Sequence, residues 1–68
     1  MRCGTVKLWN GGRGYGFLKP DDGGVDLFVH ISGLSGTTEL VPGDLVEFDE
    51  GEDERSKRPI AVNVRTAR

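Results

Sequence analysis

Apolar and polar residues alternate along several short stretches of this chain, and glycines and prolines separate one stretch from the next. Strict alternation is typical of β-strands, in which successive side chains point to opposite faces of the sheet. No stretch has the residue spacing of an amphipathic helix. The pattern predicts five strands, over residues 4–10, 14–19, 26–31, 44–50 and 60–65. Five short strands of this kind predict an all-β fold, namely a small antiparallel barrel.

The third predicted strand shows which face of the sheet is buried. Leu27, Val29 and Ile31 lie at alternate positions and are all aliphatic, so this face is expected to lie in the core. Phe28 and His30 then point outward. The opposite assignment, with the rings in the core of a sandwich, would turn the aliphatic side chains out to water.

The same alternation assigns faces in the other strands. In the first strand it turns Trp9 outward and Leu8 inward, and in the second strand Gly14 and Gly16 line the inner face, where glycine lets a strand bend at a barrel corner. The predicted outer set is Lys7, Trp9, Arg13, Tyr15, Phe17, Lys19, Phe28 and His30. The predicted core consists of Val6, Leu18, Leu27, Val29, Val46, Phe48, Ile60, Val62 and Val64.

Chain length, cysteine content and apolar runs narrow the class of protein. The 68 residues form one domain, residues 1–68, and Cys3 is the only cysteine, so no internal disulfide can form. No apolar run approaches membrane-spanning length and the first residues do not resemble a signal peptide. We therefore expect a cytoplasmic protein without a membrane partner. A monomer is expected, although the long connection 32–43 would permit a strand-exchanged dimer.

The charges are segregated along the chain. The net charge is −2, yet residues 1–20 hold four basic residues and no acid, residues 21–54 hold all eleven acids and no Lys or Arg, and residues 55–68 hold five basic residues and no acid. Such asymmetry can build a locally positive surface on a protein of net negative charge. The acidic balance therefore does not exclude a nucleic-acid partner.

The predicted outer face combines aromatic rings with basic side chains. Unpaired bases stack on such rings, and each stacked base contributes on the order of 1–3 kcal/mol. His30 can stack and can also hydrogen-bond to the edge of a base. The sequence thus predicts a surface for single-stranded RNA or DNA. The phosphates would be met by Lys7, Arg13, Lys19 and Lys57.

Other chemistry is poorly supported. The run Gly11–Gly16 matches neither the dinucleotide fingerprint nor the P-loop, and no predicted helix follows it. One histidine and one distant cysteine do not make a zinc site. No set of nucleophile, base and orienting acid can be named. We expect no catalytic residue, no metal and no cofactor.

Several segments together resemble the cold-shock domain. They are residues 4–10 (GTVKLWN), 13–18 (RGYGFL), 27–31 (LFVHI), 42–48 (PGDLVEF) and 59–64 (PIAVNV). The resemblance covers nearly the whole chain. It implies a five-stranded barrel of the OB type that binds single-stranded DNA and RNA with little sequence preference, often as an RNA chaperone. The contacts that it implies are Lys7, Trp9, Arg13, Tyr15, Phe17, Phe28, His30 and a basic residue near Lys57.

The chain departs from the family pattern at three places. The family usually has two adjacent aromatic residues in the first strand, the first of which contacts nucleic acid, and Leu8 stands at that first position. Either Trp9 takes over the stacking role or one stacking position is lost. The bacterial pattern has an aromatic residue where Ile31 stands, and many members carry one in the loop at residues 35–38. Leu8 and Ile31 are retained as candidate nucleic-acid contacts. These departures imply a smaller stacking surface and weaker binding. Together with the acidic stretch they leave a second hypothesis open, a barrel that contacts another protein and has reduced affinity for nucleic acid.

Overall fold

Five strands joined by turns and loops make up residues 2–67, the part of the chain that the computed structural model describes. The strands are β1 (Arg2–Asn10), β2 (Tyr15–Pro20), β3 (Leu27–His30), β4 (Leu45–Glu52) and β5 (Pro59–Thr66). A short 3-10 turn, Ile31–Gly33, follows β3. Every predicted strand overlaps an observed one, and Pro59 opens β5 rather than preceding it.

The five strands close into a barrel in the order β1-β2-β3-β5-β4, with β4 paired back to β1. This confirms the predicted all-β, five-stranded barrel. The predicted antiparallel arrangement holds for every pair except β3 with β5, which run parallel. Parallel strands cannot be joined by a tight hairpin, and here β4 and its loops lie between the two strands in the chain.

The core lies inside the barrel and matches most of the prediction. Its buried hydrophobic residues are Val6, Leu18, Leu27, Val29, Leu40, Val46, Phe48, Ala61 and Val64. Ile60 and Val62, both predicted in the core, are only partly buried, and Ala61 takes the inner position instead. Asn63 has a φ of 52°, so the alternation does not continue through β5 from Ala61 to Val64.

A β-bulge in β1 corrects the predicted faces of that strand. Val6 pairs with Leu18, but the register then shifts and Leu8 pairs with Phe17. The extra residue reverses the alternation, so Leu8 lies on the outer face and is 48% exposed. Trp9 pairs with Gly16 and packs against the core. The predicted placement of Leu8 inside and Trp9 outside is therefore wrong.

The end of β3 also departs from the predicted alternation. Ile31 was expected on the core face, but it is 41% exposed because the strand ends at His30 and the chain enters the 3-10 turn. The His30 side chain caps this turn, since its Nδ1 accepts a hydrogen bond from the Ser32 backbone N–H at 3.1 Å. The Ile31 backbone N–H donates to the Gly14 carbonyl at 2.8 Å, which ties the turn to the start of β2.

Arg2 connects three parts of the barrel. Its guanidinium pairs with the Asp22 carboxylate at 3.0 Å and with the Glu50 carboxylate, and it lies 5.4 Å from the centroid of the Phe48 ring. The hydrogen bond from Arg2 lowers the pKa of Asp22. These contacts link β1 to the turn after β2 and to β4.

Candidate nucleic-acid interface

Three aromatic rings form a continuous surface on β2 and β3. Phe17 pairs with Phe28 across the two strands, and their ring centroids lie 5.7 Å apart at an interplanar angle of 75°. Tyr15 stacks on the other side of Phe28, with centroids 5.8 Å apart and an angle of 23°. All three residues are partly exposed, as their predicted outward placement requires. We call Tyr15, Phe17 and Phe28 the aromatic platform.

Strand pairing explains why these rings meet. Tyr15 and Phe17 alternate with Gly16 and Leu18, which are buried, so the rings share the outer face of β2. The β2–β3 register brings Phe28 opposite Phe17 and His30 opposite Tyr15. Cross-strand pairs of this kind lie close enough for aromatic side chains to contact each other. The alternation within each strand and the register between strands together create the platform.

His30 and Leu8 extend the platform at its two ends. His30 is exposed, and because its Nδ1 accepts from the Ser32 N–H, the neutral ring carries its proton on Nε2. That N–H is a donor for the edge of a base. Leu8 lies opposite Phe17 and adds an exposed aliphatic surface, but it offers no π-face for stacking.

The predicted basic residues are all exposed but are not equally close to the platform. Lys7 lies beside it, in a shallow depression of about 470 Å³ that it lines with Leu8, Phe17 and Asp26. Its Nζ is 2.8 Å from Asp26 Oδ2. Other predicted contacts lie outside this depression: they are Arg13 in the turn before β2, Lys19 near the end of β2, and Lys57 in the β4–β5 loop.

A second depression, which we call the side groove, lies at the edge of the platform. It has a volume of about 560 Å³ and extends from Phe17 and Phe28 to the β4–β5 loop. Its other lining residues are Val25, Asp26, Asp53, Ser56, Arg58, Pro59 and Ile60. None of these seven was among the predicted site residues. Ile60 reaches the groove because β5 runs beside β3 and pairs it with Phe28, and strand alternation contains no signal for that pairing.

The β4–β5 loop is held in a defined shape that places Arg58, rather than Lys57, on the side groove. The Asp53 N–H donates to the Arg58 carbonyl at 2.9 Å, and the Lys57 N–H donates to the Asp53 carbonyl at 2.8 Å. Asp53 Oδ1 accepts from the Arg55 N–H at 3.0 Å, and this bond lowers the pKa of the Asp53 carboxyl. The Asp53 carboxylate is therefore ionised at neutral pH.

Trp9 is not part of the platform. It packs against the core over Gly16, and its indole Nε1 is buried without a hydrogen-bond partner among residues 2–67. A contact between nucleic acid and the partly exposed remainder of the ring stays a prediction. This orientation does not support the hypothesis that Trp9 takes over the stacking role of the aromatic residue that the family usually has where Leu8 stands.

Two classes of feature are absent from the described residues. Residues 2–67 contain no group of three or more His, Cys, Asp or Glu side chains arranged to hold a metal ion. Nor does this part of the chain contain a helix long and apolar enough to cross a membrane.

A closed five-stranded barrel with exposed rings on β2 and β3 defines the class of the protein as an OB-type barrel. Residues 2–67 match the family described as "'Cold-shock' DNA-binding domain", and the chain belongs to that family. The resemblance inferred from the sequence is thereby confirmed.

Similar proteins occur in bacteria and in plants. Cold shock protein CspA of Rhizobium meliloti is 44% identical over 98% of this chain and 100% of its own length. Probable cold shock protein A of Mycolicibacterium smegmatis is 43% identical over 97% of this chain and 98% of its own length. Glycine-rich protein 2 of Nicotiana sylvestris is 50% identical over 79% of this chain, and the match covers 27% of that longer protein.

Proposed function

We propose that this protein binds single-stranded RNA and DNA through the aromatic platform and acts as an RNA chaperone. The observation that carries the proposal is the continuous contact of Tyr15, Phe28 and Phe17 on the outside of the barrel. A small protein rarely leaves such rings exposed without a binding role. Membership of a DNA-binding domain family supports the same function.

Stacking on the platform selects for unpaired bases. A base in a duplex has both faces covered by its neighbours, whereas a base in a single strand can place one face on an aromatic ring. Every base has such a face, so the platform binds strands with little sequence preference. A protein that holds unpaired bases opposes the re-formation of RNA hairpins, which is the activity of an RNA chaperone.

Basic side chains complete the interface by meeting the phosphates. Lys7 lies at the platform itself, and Arg13, Lys19 and Lys57 are exposed. The Asp26 carboxylate, 2.8 Å from Lys7 Nζ, competes with a phosphate for that ammonium group. Together with Leu8 in place of an aromatic residue, this pairing supports modest affinity.

The direct test is titration of a labelled thymine heptamer, a uracil heptamer and a matching DNA duplex, followed by fluorescence anisotropy. We expect both single strands to bind and the duplex to bind far more weakly. Phe28→Ala should weaken binding at least about fivefold, since a stacked base contributes about 1–3 kcal/mol. Leu45→Ala removes an exposed aliphatic side chain on β4 that lines neither depression, and it should leave binding unchanged.

A second measurement addresses chaperone activity. An RNA hairpin with a fluorophore and a quencher at its ends should open as the protein is added, and Phe28→Ala should require a higher concentration. Absence of binding to every strand by a folded protein would refute the proposal. It would favour the second hypothesis, in which the barrel contacts another protein.

A further inference from the structure

The side groove has a chemical character that the platform lacks. The platform rings Phe17 and Phe28, together with Ile60, provide its apolar wall. Asp26, Asp53 and Arg58 bring charges of both signs to the same depression. A volume of about 560 Å³ lies within the usual range for sites that hold a small organic group. A base stacked at this end of the platform would have its edge next to charged hydrogen-bonding groups.

The carboxylates of the groove and the backbone of its loop are held in place. Lys7 engages Asp26 at Oδ2, and no hydrogen bond within residues 2–67 reaches Oδ1 of the same carboxylate. Asp53 is anchored by the Arg55 N–H, and the backbone of Arg58 is anchored by the Asp53 N–H. The described part of the chain places no ion pair on the Arg58 guanidinium. The groove therefore offers two anchored carboxylates, Asp26 and Asp53, and the guanidinium of Arg58 on an ordered loop backbone.

From this juxtaposition we propose that the side groove is a base-reading subsite that prefers guanine, an inference that rests on the proposed function. Guanine carries two adjacent N–H donors, at N1 and N2, which match a carboxylate. It also carries the O6 and N7 acceptors, which match an arginine. It is the one common base that offers paired groups to both partners.

The other bases fit this set of groups less well. Thymine and uracil present carbonyl oxygens on both sides of their single N–H, and those oxygens would face the carboxylates. Cytosine and adenine each offer one amino group to a carboxylate but lack the paired O6 and N7 acceptors for Arg58. The expected order is guanine first, then adenine and cytosine, with thymine and uracil last. A nucleic-acid strand that binds to the rest of the interface with little sequence preference would thus be fixed at one position along it by a single guanine.

The test is a scan of DNA heptamers in which a single guanine replaces one thymine of the oligo-thymine strand, position by position. We expect one position, or two neighbouring ones, to tighten binding about fivefold relative to the all-thymine strand, the lower end of the range for a paired base contact. A single adenine at that position should give a smaller gain.

Matched variants show whether the side groove is responsible. Arg58→Gln should remove the guanine preference, whereas Arg55→Gln makes the same charge change at an exposed residue of the same loop that does not line the groove. Asp53→Asn should reduce the preference, and Glu54→Gln is its charge-matched control. Circular dichroism checks that each variant is folded.

The outcomes separate this inference from the proposed function. Binding of every heptamer with equal affinity, or a guanine preference that survives both Arg58→Gln and Asp53→Asn, overturns the subsite and leaves single-strand binding intact. Failure of all the heptamers to bind overturns the proposed function together with the subsite. A preference lost in Arg58→Gln and kept in Arg55→Gln supports the subsite.

Discussion

Leu8 occupies a place where an aromatic ring would add to the stacking surface. It lies opposite Phe17, it is 48% exposed, and it borders the depression that contains Lys7. A leucine at this place covers the platform edge without providing a π-face. One of the limits on affinity is therefore assigned to this side chain.

Leu8→Trp should tighten binding to a thymine heptamer about fivefold or more, because a stacked base contributes about 1–3 kcal/mol. Fluorescence anisotropy measures the change. Val41→Trp is the control, since Val41 is 60% exposed, lies in the loop before β4 and lines neither depression. Equal gains in the two variants would mean that any exposed tryptophan raises the affinity for the heptamer and that the effect is not specific to position 8.

Among the glycines of residues 2–67, Gly16 is the one at which an added Cβ would approach its neighbours most closely. A Cβ there would lie 2.7 Å from a carbon of the Trp9 ring and would also meet the Leu8 carbonyl. Gly16→Ala should lower the free energy of unfolding by roughly 1–3 kcal/mol, the usual cost of overpacking. Urea denaturation followed by the fluorescence of Trp9 measures this loss.

Gly24→Ala provides the comparison for Gly16→Ala. The added Cβ would have its nearest contact at 3.5 Å, with the end of the Arg2 side chain, which is ordinary van der Waals distance. The two variants make the same chemical change at sites of different packing. A loss of stability as large in Gly24→Ala would contradict the assignment of strain to the Trp9–Gly16 contact.

Among the strands, β2 and β3 follow simple alternation, and the sequence was sufficient to predict their faces. Leu18 and Val29 are buried, and Phe17 and Phe28 are partly exposed, as expected. Alternation fails in β1 beyond the bulge, because a bulge is set by the pairing of two strands and leaves no mark in the spacing of one. The side groove could not be predicted for a similar reason. It depends on the pairing of β3 with β5, two strands that are distant in sequence.

The Arg2 contacts link β1 to the turn after β2 and to β4. The stabilisation that these contacts provide depends on pH. The pKa of Asp22 is lowered in the folded state, first by the hydrogen bond from Arg2. The stabilisation is therefore present above the ordinary pKa of an aspartate, about 4, and is lost as the pH falls through the lowered folded pKa.

Arg2→Gln should lower the free energy of unfolding modestly near neutral pH, and its difference from the parent protein should shrink as the pH falls below about 4, the ordinary pKa of an aspartate, because Asp22 then loses its charge. Urea denaturation at several pH values provides the comparison. Arg13→Gln removes an exposed arginine in a turn and should show no such convergence. A difference for Arg2→Gln that is independent of pH would point to its packing on Phe48 instead.

For the whole molecule, the segregated charges reconcile an acidic composition with a nucleic-acid partner. The net charge is −2. Nevertheless, Lys7 lies at the platform and Arg58 in the side groove, so positive groups occur on the surface proposed to bind a nucleic-acid strand. Binding should combine stacking, which salt affects little, with phosphate contacts, which salt weakens.

The affinity for an oligo-thymine strand should fall with salt, and the slope of log affinity against log salt should be about −0.7 for each phosphate neutralised. Lys7→Gln should make that slope less negative by about 0.7. Titrations at four or more ionic strengths measure both values. An affinity independent of salt would contradict the phosphate-binding role of Lys7.

The parallel pairing of β5 with β3 has a consequence for folding during synthesis on the ribosome. Phe28 has Ile60 as its neighbour on β5, and the side groove takes Arg58 from the loop before that strand and Pro59 from its first position. Synthesis proceeds at about 5–20 residues per second, so β1 to β3 emerge seconds before β5. β2 and β3, which carry the platform, are synthesised before β5. The wall beside Phe28 and the closed barrel form only after β5 has been synthesised.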